Sequence, residues 1–293
     1  MAEKETFSEH LGKQGISRRS FLKFCTLTAS SLSLGVGAAK VIAETLDTIP
    51  RPTVIWLSAQ ECTGCSETIL RSFEPTIESL ILSEISLDYH NTLMAPAGAA
   101  AEKSRVDAIA SGGHVLVVDG SVPLNGGGAW GTIGGRSVID ILNETAAKAG
   151  LIIAIGNCAS FGGLPQAVPN PTGASGVDEL IQSGELITPA PLINVPGCPP
   201  IPEVMTGVIV HFLVFGVPGL DSLKRPSLFY GKTVHDNCNR LDHFNNERFA
   251  LSFDDEGARQ GFCLLKLGCK GPVTSNACST LKWNGGTSYP MHS

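Results

Sequence analysis

Nine cysteines stand in 293 residues, and their spacing is the first chemical signal in the sequence. Cys62-Thr63-Gly64-Cys65 sets two thiols three residues apart. Cys158 follows in Gly156-Asn157-Cys158, and Cys198 in Pro196-Gly197-Cys198-Pro199-Pro200. A second group joins one imidazole to three thiols, as His235-x2-Cys238 and Cys263-x5-Cys269. Cys278 comes nine residues later with no partner at ligand spacing. Sets of four soft donors suit iron–sulfur clusters and also structural zinc. In an exported chain the same cysteines could form disulfides, and a Cys-x-x-Cys could be a redox dithiol. On spacing alone the iron–sulfur, zinc and disulfide readings all stay open.

The first group has a common frame. Thr53 to Leu57 is a β-branched run that ends just before Cys62. Leu151 to Ile155 precedes Cys158, and Leu192 to Val195 precedes Cys198. Each run reads as a buried strand, so three strand ends would deliver four thiols to one edge of a sheet. Ile85 to Tyr89 and Val115 to Val118 supply two further strands. Ser66 to Leu82, with a bend at Pro75, Lys103 to Ala110, Ser137 to Ala149 and Val177 to Gln182 supply helices between them. Alternating strands and helices predict a doubly wound parallel α/β sheet, whose sites lie beyond the carboxyl ends of its strands. Val208 to Leu220 is only thirteen residues long and contains His211 and Pro218, so it reads as a core element and not a membrane span. From about Ser222 apolar runs shorten and polar residues crowd together, which places a domain boundary there. Metal cross-links would supply what the small second core lacks.

The amino-terminal segment has its own character. Ser17-Arg18-Arg19-Ser20-Phe21-Leu22-Lys23 precedes an apolar stretch over residues 24–39, and Val41-Ile42-Ala43 offers a small-residue cleavage point. This is the pattern of a twin-arginine export signal over residues 1–43, and Cys25 would leave with it. The chain carries 21 basic and 27 acidic residues, and loss of the leader's six basic and three acidic residues leaves a net charge of −9. No basic stripe is present, which excludes nucleic acid as a partner. Gly126-x-Gly128-x-x-Gly131 matches a dinucleotide fingerprint by letter only, because it lacks a βαβ context, and it reads as a loop of close backbone contacts. Trp56, Trp130 and Trp283 read as packing residues, and His90 as a loop residue.

At its cysteine motifs the sequence resembles the small, electron-transfer subunit of nickel–iron hydrogenases. The motifs are Glu61-Cys62-Thr63-Gly64-Cys65-Ser66-Glu67, Gly156-Asn157-Cys158-Ala159-Ser160-Phe161-Gly162-Gly163, Pro169-Asn170-Pro171-Thr172-Gly173 and Pro196-Gly197-Cys198-Pro199-Pro200. They continue through the His235 group, Glu256-Gly257-Ala258-Arg259-Gln260-Gly261-Phe262-Cys263 and Leu267-Gly268-Cys269-Lys270-Gly271-Pro272. Their order and spacing carry the resemblance, with the leader, over nearly the whole chain.

The resemblance implies a flavodoxin-like domain over residues 44–221 and a small iron–sulfur domain over 222–293. Cys62, Cys65, Cys158 and Cys198 match the ligands of a proximal 4Fe–4S cluster. His235, Cys238, Cys263 and Cys269 match those of a distal 4Fe–4S cluster. Cys278 matches the first of three ligands of a medial 3Fe–4S cluster, with Pro290 where a fourth cysteine would stand. The other two medial ligands are absent from this sequence, so it reads as a carboxyl-terminally truncated chain, and membrane anchoring stays open. The nickel–iron centre would lie in the large-subunit partner, because this chain lacks the two Cys-x-x-Cys pairs that hold nickel. Electrons from hydrogen oxidation would run from the proximal cluster through the medial to the distal one, and on to a cytochrome of b or c type. Glu61, Thr63 and Glu67 flank the proximal cysteines as candidates for proton relay or interface contacts, with plain helix capping as the alternative. Oxygen-tolerant relatives carry extra cysteines at positions matching Gly64 and Gly163, so the glycines here imply an oxygen-sensitive enzyme. The implied location is the periplasm, with attachment to the periplasmic face of the cytoplasmic membrane left open. A cluster-bearing component of a related respiratory complex would share the first cysteine loops but lack the His235 group and the twin-arginine leader. An exported protein held by zinc or disulfides is the remaining alternative.

Overall fold

The computed structural model describes residues 51–73 and 85–287, and before them 37–48 with positions 22–23, 25–26, 29–30 and 34–35. The chain divides between Pro226 and Ser227 into two compact units, a few residues beyond the composition change near Ser222.

The first unit is built on five parallel strands. They are β1 (Thr53–Ser58), β2 (Ser86–His90), β3 (Val115–Asp119), β4 (Leu151–Ile155) and β5 (Leu192–Val195), in the order β2-β1-β3-β4-β5. That is the flavodoxin-like order, with its switch point between β1 and β3. Every residue of β3 and β4 is buried, so both alternating sets of side chains are covered and the sheet is packed on both faces. The register is regular across the centre: Ser58 pairs with Asp119, and Asp119 with Ile155, so these strands end level.

Helices α1 (Ala38–Thr48), α2 (Gly64–Ile69), α3 (Ala99–Ser111), α4 (Val138–Ala146), α5 (Gly156–Phe161), α6 (Gly163–Gln166), α7 (Val177–Ser183) and α8 (Pro202–Phe215) complete the unit. On one sheet face Ile55, Leu57, Leu116, Val118 and Ile152 form a core with Ala108 and Ile109 of α3, Ile141 and Leu142 of α4, and Leu180 of α7. Helix α4 starts at the cap Ser137, whose hydroxyl accepts the Asp140 N–H. Helix α8 opens with Pro202 in its first turn and stops at Gly216 (φ 78°), which settles the Val208–Leu220 run as helix up to Phe215.

Two expectations need correction. The periodic stretch from Ser66 is a short helix, Gly64–Ile69, closed by i→i+3 bonds from the Leu70, Arg71 and Ser72 N–H groups. Leu70 and Phe73, at helical spacing from Ser66, are 42% and 65% exposed, and the rest of the expected helix, with Pro75, lies outside the described residues. Trp130 is 64% exposed, with its indole beside Gly126, so it is not a core packing residue. At the amino-terminal end, Cys25 and Ala29 pack with Ile42, Ala43 and Val210, and α1 runs across the expected cleavage point after Ala43.

The second unit has no extended sheet among its described residues. Ser227–Tyr230, Leu241–Asn245 and Glu256–Arg259 are single α-turns, and short 3₁₀ segments cover His235–Asn237, Leu265–Leu267, Gly271–Val273 and Ala277–Ser279. Among the described residues no helix is long and apolar enough to cross a membrane.

Candidate metal centres

The first cysteine group sits at the carboxyl ends of the parallel strands. After β1 the Ala59 N–H donates to the Asp119 carbonyl (2.7 Å), and Gln60 and Ser121 exchange backbone hydrogen bonds, which ties this exit to that of β3. Thr63 (φ 65°) turns the chain into α2, so Cys62 and Cys65 straddle the turn. Strand β4 passes directly into α5 at Gly156 (φ 85°), which brings Cys158 in two residues later. Asn157 then laces this loop to the one after β5. Its backbone N–H donates to the Gly197 carbonyl (2.8 Å), and its Oδ1 accepts the Gly197 N–H (3.0 Å). Cys198 is thereby held beside Cys158.

Three glycines bring backbone against sulfur. A Cβ on Gly64 would lie 3.1 Å from Cys62 Sγ, one on Gly156 2.6 Å from Cys65 Sγ, and one on Gly163 2.7 Å from Cys158 Sγ. No other residue type fits the last two positions without displacing a sulfur. The thiols also feel one another. Burial raises the Cys65 thiol far above its ordinary value, and Asp119, Cys62 and Cys158 add to the effect. Burial raises Cys158 as well, against the Leu164 N–H, with Cys198 and Cys62 adding. Thiols so crowded resist ionisation until a cation joins them, and a coordinating metal removes the proton outright. A glycine-lined group of four thiols without a countercharge therefore fits an iron–sulfur cluster.

Carboxylates and hydroxyls surround this group. Glu61 Oε2 accepts the Thr63 N–H, and the Thr63 hydroxyl donates to Oε1 (3.4 Å). Burial raises the Glu61 carboxyl, with the Thr63 bond opposing. Glu67 instead pairs with Arg71 one turn along (2.7 Å), in the open. The helix begins at Gly64, so Ser66 and Glu67 lie inside it and do not cap it; the cap position is Thr63, whose side chain makes no capping bond.

The second group lies wholly in the second unit. His235, Cys238, Cys263 and Cys269 line one pocket with Arg240, Leu264, Leu265, Gly271 and Pro272. Backbone N–H groups point at two of the sulfurs: Arg240 N–H to Cys238 Sγ (3.3 Å) and Gly271 N–H to Cys269 Sγ (3.4 Å). Such donors are the contacts that tune cluster sulfurs. A Cβ on Gly271 would also stand 3.4 Å from Cys269 Sγ. Burial raises Cys238, against the Arg240 N–H, and Cys263 and Cys269 raise it further, which records the three thiols as neighbours. The His235 ring stands edge-on to Phe244, with centroids 4.5 Å apart. Arg240 donates to the Phe262 carbonyl (2.6 Å) and closes the loop across the pocket.

Cys278 sits apart on its 3₁₀ turn, where Asn276 Oδ1 accepts its N–H (3.1 Å). Burial raises its thiol, with no other cysteine contributing. Pro290 lies outside the described residues. No disulfide joins any of the nine cysteines. Among the described residues no three His, Cys, Asp or Glu converge closely enough for a single metal ion.

Sequence reasoning missed three polar residues. His90 is the last residue of β2 and fully buried, not in a loop. It lies under Trp56 with ring centroids 5.0 Å apart. Ser66 and Asp119 are each 2% exposed and joined by a hydrogen bond. A carboxylate closing an otherwise apolar parallel strand was the available signal. The glycine loop at 126–131 behaves as read. It leads into the Thr132–Ile133/Arg136–Ser137 hairpin, and Cβ atoms on Gly128 and Gly131 would strike Ser137 and Pro123.

Comparison with known proteins agrees with this layout. Residues 62–212 match the family described as NADH ubiquinone oxidoreductase, 20 Kd subunit. Residues 230–293 match the family described as the C-terminal part of the NiFe/NiFeSe hydrogenase small subunit. The uptake hydrogenase small subunit of Afipia carboxidovorans is 50% identical over 99% of this chain and 78% of its own length. The Hydrogenase-1 small chain of Escherichia coli is 47% identical over 100% of this chain and 78% of its own. The [NiFeSe] hydrogenase structure from Desulfovibrio vulgaris Hildenborough superposes with a TM-score of 0.75 at 36% identity, over 83% of this chain and 90% of that one. The first match is shared with respiratory complexes, whereas the second covers the His235 group and separates the two. The chain belongs to the small-subunit family of the nickel–iron hydrogenases.

Proposed function

We propose that this chain is the electron-relay subunit of a hydrogen-oxidising heterodimer, with its cysteines divided among three clusters. Cys62, Cys65, Cys158 and Cys198 hold a proximal 4Fe–4S cluster. His235, Cys238, Cys263 and Cys269 hold a distal one, and Cys278 contributes to a medial 3Fe–4S cluster. When bound, these clusters supply one-electron transfer. The observation that carries the reading is the pair of separate donor groups with backbone brought to sulfur: Gly156 and Gly163 pressed against thiols in one, and the Gly271 N–H donating to Cys269 Sγ in the other. The nickel–iron centre belongs to a large-subunit partner, and the acceptor is a cytochrome.

The chain's own residues bind, orient and exclude. Asn157 fixes the Cys158 and Cys198 loops to each other. Neutral His235 in place of a thiolate removes one negative charge from the distal ligand shell. Glu61 and Thr63 hold a hydrogen-bonded proton position beside the first group. Glu67, already paired with Arg71, stands as a helix-surface charge. Gly163 leaves no room for a side chain at Cys158. That supports an ordinary proximal cluster and an enzyme inhibited by oxygen. Hydrogen oxidation sustained in air contradicts this. The twin-arginine motif at Arg18-Arg19 directs export to the periplasm, and changing both arginines to lysine should leave the complex in the cytoplasm.

The test is purification of the intact complex under anaerobic conditions. Iron and acid-labile sulfide should be present, and a nickel-containing partner should co-purify. Iron and sulfide without nickel favour the respiratory-complex reading, and zinc alone defeats both.

A further inference from the structure

A line of buried polar side chains runs inward from the first cysteine group to the far side of β1. Asp119 closes β3 beside Cys65: it pairs with Ile155, whose neighbour Gly156 lies against Cys65 Sγ, and Ser66, next to Cys65 in the chain, bonds to it. The Ser66 hydroxyl donates to Asp119 Oδ2 (3.1 Å), and Ser66 Oγ stands 3.4 Å from His90 Nε2. The other ring nitrogen fixes the direction of this line. His90 Nδ1 accepts the Thr92 N–H (3.1 Å) and the Leu93 N–H (3.3 Å), so the ring proton sits on Nε2. Nε2–H therefore donates to Ser66, and Ser66 is left to donate to Asp119. Every donor has one acceptor, and the order cannot be reversed without unpairing two backbone N–H groups. Trp56 packs on the His90 ring and seals it from solvent.

Nothing in electron relay by cysteine-held clusters requires a buried histidine, serine and aspartate. A carboxyl taken out of water needs compensation. Here the only hydroxyl donating to it comes, among the described residues, from Ser66. The arrangement orients one acidic group toward one ligand sulfur. A negative charge fixed beside a cluster sulfur disfavours the added electron and lowers the potential, by an amount set by its distance.

We propose that His90 and Ser66 are positioning residues that hold the Asp119 carboxyl against Cys65 and thereby set the reduction potential of the first cluster. The inference rests on the reading of Cys65 as a cluster ligand. The affected step is gain of one electron by the cluster from hydrogen oxidation. No bond forms or breaks in this chain.

The experiment is a redox titration of the purified heterodimer, followed by paramagnetic resonance at one fixed pH, with iron counted in each sample. Asp119→Asn should raise the midpoint potential by at least about tenfold in the one-electron equilibrium, about 59 mV. Ser66→Ala and His90→Phe should each shift it the same way by about threefold. Ser66→Thr, which keeps the hydroxyl, should restore the original potential. The double variant Ser66→Ala/Asp119→Asn should shift no further than Asp119→Asn alone. An unchanged potential in Ser66→Ala, or additive shifts in the double variant, overturns the proposal. Loss of iron in both Ser66→Ala and His90→Phe also overturns it, since the pair would then be structural. Absence of iron from the unaltered protein defeats the cluster reading instead.

Discussion

Gly156→Ala isolates the contact between backbone and cluster sulfur. Gly156 has φ 85°, and a Cβ there would lie 2.6 Å from Cys65 Sγ. The left-handed backbone alone costs an L-residue about 1–2 kcal/mol. Ordinary contact requires the sulfur to retreat by about 1 Å, and such overpacking adds about 1–3 kcal/mol. Gly127 separates the two effects. It has φ 66°, and a Cβ there would meet nothing within 4 Å, so Gly127→Ala carries the backbone cost only. The assay is iron and acid-labile sulfide per heterodimer, with thermal inactivation measured on the same samples. Gly127→Ala should keep full iron and lose a few degrees of stability. Gly156→Ala should lose the irons of one cluster, because Cys65 can no longer reach its position, and should inactivate earlier. Full iron in Gly156→Ala, with a stability loss equal to that of Gly127→Ala, refutes the claim that Cys65 is held in place for a cluster.

Other expectations follow from single contacts. Asn157→Ala removes the acceptor for the Gly197 N–H and should cost about 1–3 kcal/mol, read as faster iron loss on mild heating. His235→Gly should slow reduction of an external acceptor while hydrogen–deuterium exchange at the nickel centre survives; loss of both together contradicts the distal placement. Arg105 is fully buried and bridges Glu102 (3.0 Å) and Glu144 (3.1 Å), so Arg105→Ala should destabilise the first unit by about 3 kcal/mol in thermal unfolding, with no effect on cluster potentials. Burial pushes the His90 imidazole down to about 4 from 6.5, so the folded state excludes a proton that the unfolded chain takes up. That contribution is complete above pH 6.5 and is lost as pH falls toward 4. A His90→Gln variant should therefore show a flatter decline of thermal stability over that range.

The sheet was legible because its strands are buried on both faces. Runs such as Val115-Leu116-Val117-Val118 and Leu151 to Ile155 have no amphipathic alternative, and their alternation with helices marks a parallel sheet, whereas the flavodoxin-like strand order was implied only by the resemblance. The first cysteine group was legible because each of its members follows a strand end, and the second because His235-x2-Cys238 and Cys263-x5-Cys269 have ligand spacing in the sequence itself. The residues between β1 and β2 were misread. Ile69, Leu70 and Phe73 repeat at helical spacing, but spacing reports only that a helix could bury them, and the fold leaves Phe73 65% exposed. His90, Ser66 and Asp119 were illegible as a set because three separate elements bring them together, and a buried hydrogen-bonded line has no spacing in sequence. Trp130 shows the same limit, since an aromatic residue in a glycine loop carries no mark of which way it points.

The central claim is that two groups of donors in this chain each enclose inorganic iron and sulfide. Its most direct test is paramagnetic resonance of the anaerobically purified heterodimer during stepwise reduction by hydrogen, beside chemical iron and sulfide counts. The account predicts signals from separate clusters, with Cys65→Ser abolishing or altering one and Cys263→Ser another. A complex that carries zinc or disulfides at these cysteines, and stays colourless and silent on reduction, contradicts it.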